Sequence, residues 1–203
     1  MTETPDDYAK HNARMQRMAV AREKMQARRT LERGLLIVHT GNGKGKSSSA
    51  FGMAIRSIGW GMKVAILQYV KGKWETGERN FFDAHPDLAS FEVMGEGFTW
   101  ETQDRQRDIA AAEAAWVVSR QLLQDPSVQF VVLDELNIAL KHGYLDLDQV
   151  LSDIQARPPM QHVIVTGRAA KAEMIELADT VTEMGMLKHA FQAGIRAQKG
   201  VEL

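Results

Sequence analysis

Short apolar runs alternate with longer stretches of helical period along most of this chain. Leu35 to His39, Lys63 to Val70, Phe91 to Met94, Gln129 to Glu135, His162 to Arg168 and Thr180 to Met184 read as strands. Between them, Ser48 to Ile58, about Gln103 to Gln124, Leu147 to Gln155 and Lys171 to Leu177 read as helices. The alanine-rich second helix ends before Asp125-Pro126, because proline cannot continue it. Glycine-punctuated polar stretches, Lys71 to Glu78 and Gly95 to Thr102, read as loops. Strands alternating with helices predict an α/β fold, a mostly parallel sheet with helices on both faces.

The first residues follow another pattern. Residues 8–33 read as a polar helix or a partly disordered arm. Lys10, Arg14, Arg17, Lys24 and Arg28 fall on one helical face, with Met15, Met18 and Met25 as a weaker apolar stripe. Such a face is usually just solvated. It could also cap an anionic ligand, pack on a partner subunit or contact nucleic acid. We therefore expect an N-terminal helical or partly disordered arm over residues 1–30 and a nucleotide-binding catalytic domain over residues 31–203.

Bulk composition narrows the classes. A chain of 203 residues with 44% hydrophobic content can bury one sizeable core. A formal net charge of −1 argues against a general nucleic-acid binder. The chain has no cysteine, which removes disulfides, thiolate metal sites and cysteine nucleophiles. No apolar run approaches a membrane span, and the acidic start, Met1 to Asp7, does not resemble a secretory signal. The expectation is a cytoplasmic protein with no membrane and no nucleic-acid partner.

Chemistry concentrates after the first strand. Thr40-Gly41-Asn42-Gly43-Lys44-Gly45-Lys46-Ser47 stands between that strand and a helix. This is the setting of a phosphate-binding loop, so the fold expected is that of a P-loop NTPase (RecA-like). Glycines let backbone N–H groups curl around a polyphosphate, and the helix adds its positive end. Lys46 would reach phosphate oxygens and the Ser47 hydroxyl a magnesium ion. Counted back from Gly45-Lys46-Ser47, the consensus puts a glycine at position 40, where this chain has Thr40. Glycines fall at 41, 43 and 45 instead, and Lys44 is an extra cation inside the loop.

Other strand exits supply candidates too, since such folds bind ligands at the carboxyl ends of parallel strands. Asp134 and Glu135 follow an apolar run and are metal candidates beside Ser47. Which of the two touches the metal is open. Thr166, Gly167 and Arg168 leave the next strand, and Arg168 could stabilise phosphate charge or form a surface ion pair. Phe98 and Trp100 place two large aromatics in a loop. They either pack beneath it or wall a flat ligand. None of the six histidines has metal-ligand spacing.

Taken together, the sequence resembles the P-loop type of ATP:cob(I)alamin (corrinoid) adenosyltransferase of cobalamin biosynthesis. The match rests on Gly41 to Ser47, Gly97-Phe98-Thr99-Trp100-Glu101-Thr102, Val132 to Leu136, Val165 to Arg168 and the tail Lys188 to Gly194. It spans the chain from about Gly34. The resemblance implies transfer of the 5′-deoxyadenosyl group of ATP to a Co(I) corrinoid, cob(I)alamin or cob(I)yrinic acid a,c-diamide, with triphosphate released. It implies ATP and Mg2+ (or Mn2+), with the corrinoid as substrate, an electron donor such as a flavoprotein, and a homodimer. Phe98 and Trp100 would then keep a lower axial ligand off cobalt, easing its reduction. Asn42 is the candidate for a ribose contact. Alternatives kept open are a P-loop ATPase or phosphotransferase releasing ADP, a non-catalytic corrinoid carrier, and an ATP-dependent nucleic-acid protein.

Overall fold

The computed structural model describes residues 5–70, 76–94 and 104–202. It divides into two units, Met1–Glu32 and Arg33–Leu203. Among its described residues the first holds one helix, α1 (Pro5–Gln26), with Asp6 and Asp7 in its first turn and Lys24 in its last. Those charges complement the helix dipole. Asp6 and Lys10 pair at 2.7 Å across one turn. The basic face is shorter than the spacing suggests, because Arg28 lies beyond the helix in a turn, its N–H donated to the Met25 carbonyl.

In the second unit the order is β1 (Leu36–Thr40), α2 (Lys46–Gly59), β2 (Val64–Gln68), α3 (Gly77–Asp83), β3 (Ala89–Val93), α4 (Arg105–Gln124) and β4 (Phe130–Asp134). Then come α5 (Leu136–Lys141), α6 (Leu147–Gln155), β5 (His162–Thr166), α7 (Ala172–Leu177) and β6 (Thr180–Glu183). A 3₁₀ turn, Ala190–Ala193, lies in the tail. The strands form one sheet in the order β3-β2-β4-β5-β1-β6, and every pairing among them is parallel. One strand, β5, separates the strand before the glycine loop from the strand ending in the acids. That is the strand arrangement of the RecA-like phosphate-loop fold.

Alternation explains the two-sided core. In β1, Leu36 and Val38 face one cluster and Ile37 the other. In β4, Val131 and Leu133 oppose Phe130 and Val132 in the same way. Successive side chains leave opposite faces of a strand, so runs buried on both faces are apolar throughout. Helices α4, α5, α6 and α7 cover the first face through residues such as Trp116, Leu140, Ile154 and Met174. Helices α2 and α3 cover the second through Phe51, Ala54 and Phe82. There Phe82 meets the Phe51 ring edge-on at 6.0 Å and stacks on Phe91 at 5.9 Å.

Two short helices replace what reads in the sequence as loop or nothing. The polar stretch ending at Glu78 turns into α3 at Gly77, with the Thr76 hydroxyl accepting the Arg79 N–H. Helix α5 starts directly after the acids and buries Leu136, Ala139 and Leu140. Conversely, α2 starts two residues earlier than Ser48, at Lys46, and β5 stops at Thr166 rather than Arg168.

Candidate functional site

Parallel register lines up the strand exits. Gln68 pairs with Asp134, and His39 with Thr166. Three loops therefore open at one edge of the sheet: residues 41–45 after β1, the acids ending β4, and residues 167–169 after β5.

The glycine loop is shaped by its neighbour. Gly41 has φ 93, and a side chain there would place Cβ 2.5 Å from the Met184 carbonyl oxygen. At Gly43 the same atom would meet the Gly185 carbonyl oxygen at 2.4 Å. Only glycine permits that approach. The Gly43 N–H donates to the Met184 carbonyl at 2.7 Å, and the Met184 N–H to the Thr40 carbonyl at 2.9 Å. Thr40, standing where the consensus has glycine, is still a β1 residue. Its hydroxyl accepts the Ala170 N–H at 3.1 Å, tying the loop after β5 to the one after β1.

Helix α2 begins directly behind this loop. Its cap is Gly45, which offers no side-chain oxygen, and its first turn carries no acid. Its leading N–H groups thus face the loop without a competing carboxylate, as anion sites require. Lys46 is 6% exposed and donates from Nζ to the Gly43 carbonyl at 2.7 Å. Burial lowers its pKa, Glu135 opposes that, Arg168 adds to it, and Asp134 again opposes. His39 Nδ1 is 3.3 Å from the Lys46 carbonyl. Ser47 is partly buried in the first helical turn, while Asn42 and Lys44 lie exposed on the rim. Lys44 Nζ is 3.3 Å from a carboxylate oxygen of Glu202.

One hydroxyl organises both acids. Thr166, fully buried, donates to Asp134 Oδ1 at 2.7 Å and accepts the Glu135 N–H at 2.9 Å. Gln68 donates to the other Asp134 oxygen at 3.0 Å. Glu135 sits at φ 63, left-handed backbone that a non-glycine residue adopts at a cost, and such strain gathers at functional positions. Burial pushes its pKa up to about 7, and the neighbouring Asp134 charge adds to this against Lys46 and Arg168. Arg168 is exposed, yet both Lys46 and Glu135 feel its charge. Asn137, on α5, donates to the Gly167 carbonyl at 3.1 Å and fixes the start of that loop.

The structure thus gathers Gly41, Asn42, Gly43, Lys44, Gly45, Lys46, Ser47, Asp134, Glu135 and Arg168 at the strand exits. Phe98 and Trp100 lie outside the described residues. Sequence reasoning put Thr166 at a strand exit without a task, and it missed Gln68, Asn137 and Glu202. A polar residue ending an otherwise apolar strand was the one available signal for Gln68. Nothing local points to Glu202. Among the described residues, no group of three or more His, Cys, Asp or Glu side chains could hold a metal ion, and no helix is long and apolar enough to cross a membrane.

Sheet order and loop define a phosphate-loop protein of the RecA-like kind. Comparison with known proteins sharpens that class. Residues 32–203 match the family model of the ATP:corrinoid adenosyltransferase BtuR/CobO/CobP. A corrinoid adenosyltransferase of Pseudomonas aeruginosa is 66% identical over 203 residues, 100% of both chains. The corrinoid adenosyltransferase CobA of Salmonella typhimurium is 48% identical over 171 residues, 84% of this chain and 86% of that one. One from Escherichia coli is 45% identical over 190 residues, 92% of this chain and 96% of its own. Among solved structures, domain III of the Thermotoga maritima replication initiation protein DnaA covers 91% of this chain and 64% of that one, at 10% identity and a TM-score of 0.38. That likeness is too slight to bear on function. The chain belongs to the ATP:corrinoid adenosyltransferase family, and as such is a transferase whose substrates are ATP and a corrinoid.

Proposed function

We propose that the strand-exit site is where this chain transfers the 5′-deoxyadenosyl group of ATP to a Co(I) corrinoid and releases inorganic triphosphate. The observation that carries the assignment is the convergence of buried Lys46, the uncapped start of α2, Arg168 and the Asp134–Glu135 pair at one sheet edge. In this transfer, negative charge develops on the whole departing triphosphate. Preorganised cations and N–H groups lower its energy more than that of bound ATP. Gly41, Gly43, Lys44, Gly45, Lys46 and Ser47 form the cradle, Arg168 adds charge at its rim, and Asn42 meets the ribose.

The donor set suits Mg2+ (or Mn2+). Ser47, Asp134 and Glu135 offer only oxygen, and two adjacent carboxylates raise the pKa of one of them, which is a site short of positive charge. Bound there, the ion would neutralise phosphate charge. Asp134 is held by Thr166 and Gln68 through both oxygens, so Glu135 is the freer carboxylate to meet it. Phe98 and Trp100 exclude an axial ligand from the corrinoid's lower face. A flavoprotein-type electron donor, a homodimeric state and a cytoplasmic location complete the reading.

The test is phosphorus NMR of a reaction holding ATP, Mg2+ and chemically reduced corrinoid. Triphosphate and adenosylcorrinoid should appear in equal amounts, and Lys46→Ala should slow both about 100-fold, the loss typical of one oxyanion-type donor. Phe98→Ala and Trp100→Ala should slow turnover with a mild reductant and recover when cobalt is supplied as Co(I). ADP and orthophosphate forming without corrinoid would overturn the assignment in favour of an ordinary ATPase.

A further inference from the structure

The C-terminal turn holds on to the phosphate loop. After β6, the Met184 backbone is hydrogen-bonded to Gly43 and Thr40, so the tail starts as a continuation of the loop's own wall. Fourteen residues after Met184, at Gln198, it returns as a closed turn. There the Val201 and Glu202 N–H groups donate to the Gln198 carbonyl at 3.2 and 3.0 Å, with Gly200 at φ 79. The Glu202 carboxylate closes this turn from inside, one oxygen accepting the Gln198 N–H at 3.0 Å. Its other oxygen is 3.3 Å from Lys44 Nζ. Only 19% of the Glu202 side chain is exposed, against 55% for Lys44. The Gln198 N–H, then Lys44, lower the Glu202 pKa, so it is an anion at neutral pH. An anion fixed by its own backbone thus occupies the extra cation of a loop read as an anion cradle.

We propose that Glu202 is a positioning residue of this site: it holds Lys44 while the loop is empty and competes with triphosphate for it, so the C-terminal turn weakens retention of the departing product. This rests on the loop being the triphosphate site. A triphosphate is a stronger partner for Lys44 than one carboxylate. When Lys44 turns to it, Glu202 is left facing a polyanion, and the turn loosens. Linkage makes the effect reciprocal: whatever the docked turn costs triphosphate, triphosphate costs the docked turn. An ion pair this exposed sets the scale at about two- to fivefold in affinity. For a product otherwise held by Lys46, helix N–H groups and a metal, that is a useful reduction.

The experiment is calorimetric binding of inorganic triphosphate with Mg2+ to the full chain, at low and high salt. Glu202→Gln should bind about two- to fivefold tighter than the parent. Glu202→Asp should stay near the parent. The gain should shrink with salt and vanish when Glu202→Gln is made on a Lys44→Gln background. In the parent, triphosphate should speed tryptic cleavage at Arg196 and Lys199. In Glu202→Gln, cleavage should be fast with or without it. Equal or weaker binding by Glu202→Gln, or a gain that persists without Lys44, overturns the competition. Lys46→Ala keeps the two readings apart. If it binds triphosphate as the parent does, the loop is not the triphosphate site. If it loses binding while Glu202→Gln matches the parent, only the competition fails.

Discussion

Glu135→Gln should make the metal-free protein more stable, and increasingly so as pH rises. Glutamine mimics the protonated carboxyl in shape but cannot ionise. In the parent, burial and Asp134 raise the Glu135 pKa from its ordinary 4.5 to about 7. The folded state therefore binds a proton that the unfolded chain has already lost. Between those two values, stability falls as pH rises, because the native state holds more protons than the unfolded one. Below 4.5 both states are protonated and Glu135 costs nothing. Above 7 the whole difference is felt, about 3 kcal/mol at about 1.4 kcal/mol per pKa unit. Linkage with these two values gives about 1 kcal/mol by pH 5 and about 3 kcal/mol by pH 8.

Measured in chelator by urea unfolding, the parent-to-variant gap should widen by about 2 kcal/mol between pH 5 and pH 8. Groups that do not feel the Glu135 charge titrate in both proteins alike, so the gap reports Glu135 together with its coupling to Lys46. If Glu135 meets the metal as proposed, saturating ATP and Mg2+ should narrow it, because only the parent keeps that carboxylate. A gap constant across this range would refute the reasoning, as would a parent that gains on the variant with rising pH. The first would mean Glu135 titrates normally in the fold. The second would mean Lys46 and Arg168 outweigh its burial.

Two further substitutions probe the scaffold under the site. Thr166→Val keeps the shape but removes the bonds to Asp134 and to the Glu135 N–H, at about 1–3 kcal/mol of stability; turnover should fall with it, while an unaltered metal dependence of turnover would show that Thr166 does not orient the acids. Gly43→Ala drives a Cβ against the Gly185 carbonyl, so the loop or residues 184–185 must move; we expect about 1–3 kcal/mol lost in thermal or urea melts, with triphosphate binding weakened as well. Gly52→Ala, within α2 behind the loop and with nothing within 4 Å of its Cβ, is the control and should be neutral or gain up to about 1 kcal/mol.

Much of the fold was legible because burial on both faces writes itself as apolar runs. Strands β1, β2, β4 and β5 were visible that way, whereas β3 is only partly buried and β6 is exposed along its length, so both rested on shorter apolar runs. The loop was legible because anion binding needs small residues followed by a lysine and a hydroxyl at the head of a helix. Two of the short helices, α3 and α5, were not, although the six residues of α7 were. Helix α3 has seven residues and α5 six, too few turns to show a period or to be stable alone. Their existence depends on tertiary burial of Phe82, Leu136 and Leu140. Strand ends were uncertain by a residue or two, because polar residues such as Thr40 and Gln68 still belong to the ladder.

The loop's departure from consensus shows what kind of information the sequence withholds. Read locally, Thr40 in place of glycine looks like a weakened motif, and Gly41 and Gly43 look displaced. The structure gives each a cause on another part of the chain. Residues 184 and 185 come so close that 41 and 43 cannot carry a Cβ, and the Gly43 N–H is spent on the Met184 carbonyl instead of on a ligand. Thr40 needs no positive φ, so it can offer its hydroxyl to Ala170. The glycine pattern thus encodes the tail's path as much as the phosphate's. On the proposed phosphate role of the loop, with one N–H committed to the tail, more of the anion's stabilisation would fall to Lys46, the first turn of α2 and a rim cation. Lys44 is that rim cation. Its partner Glu202 is 158 residues away in sequence and one residue from the end of the chain, where no motif around the loop could have pointed to it.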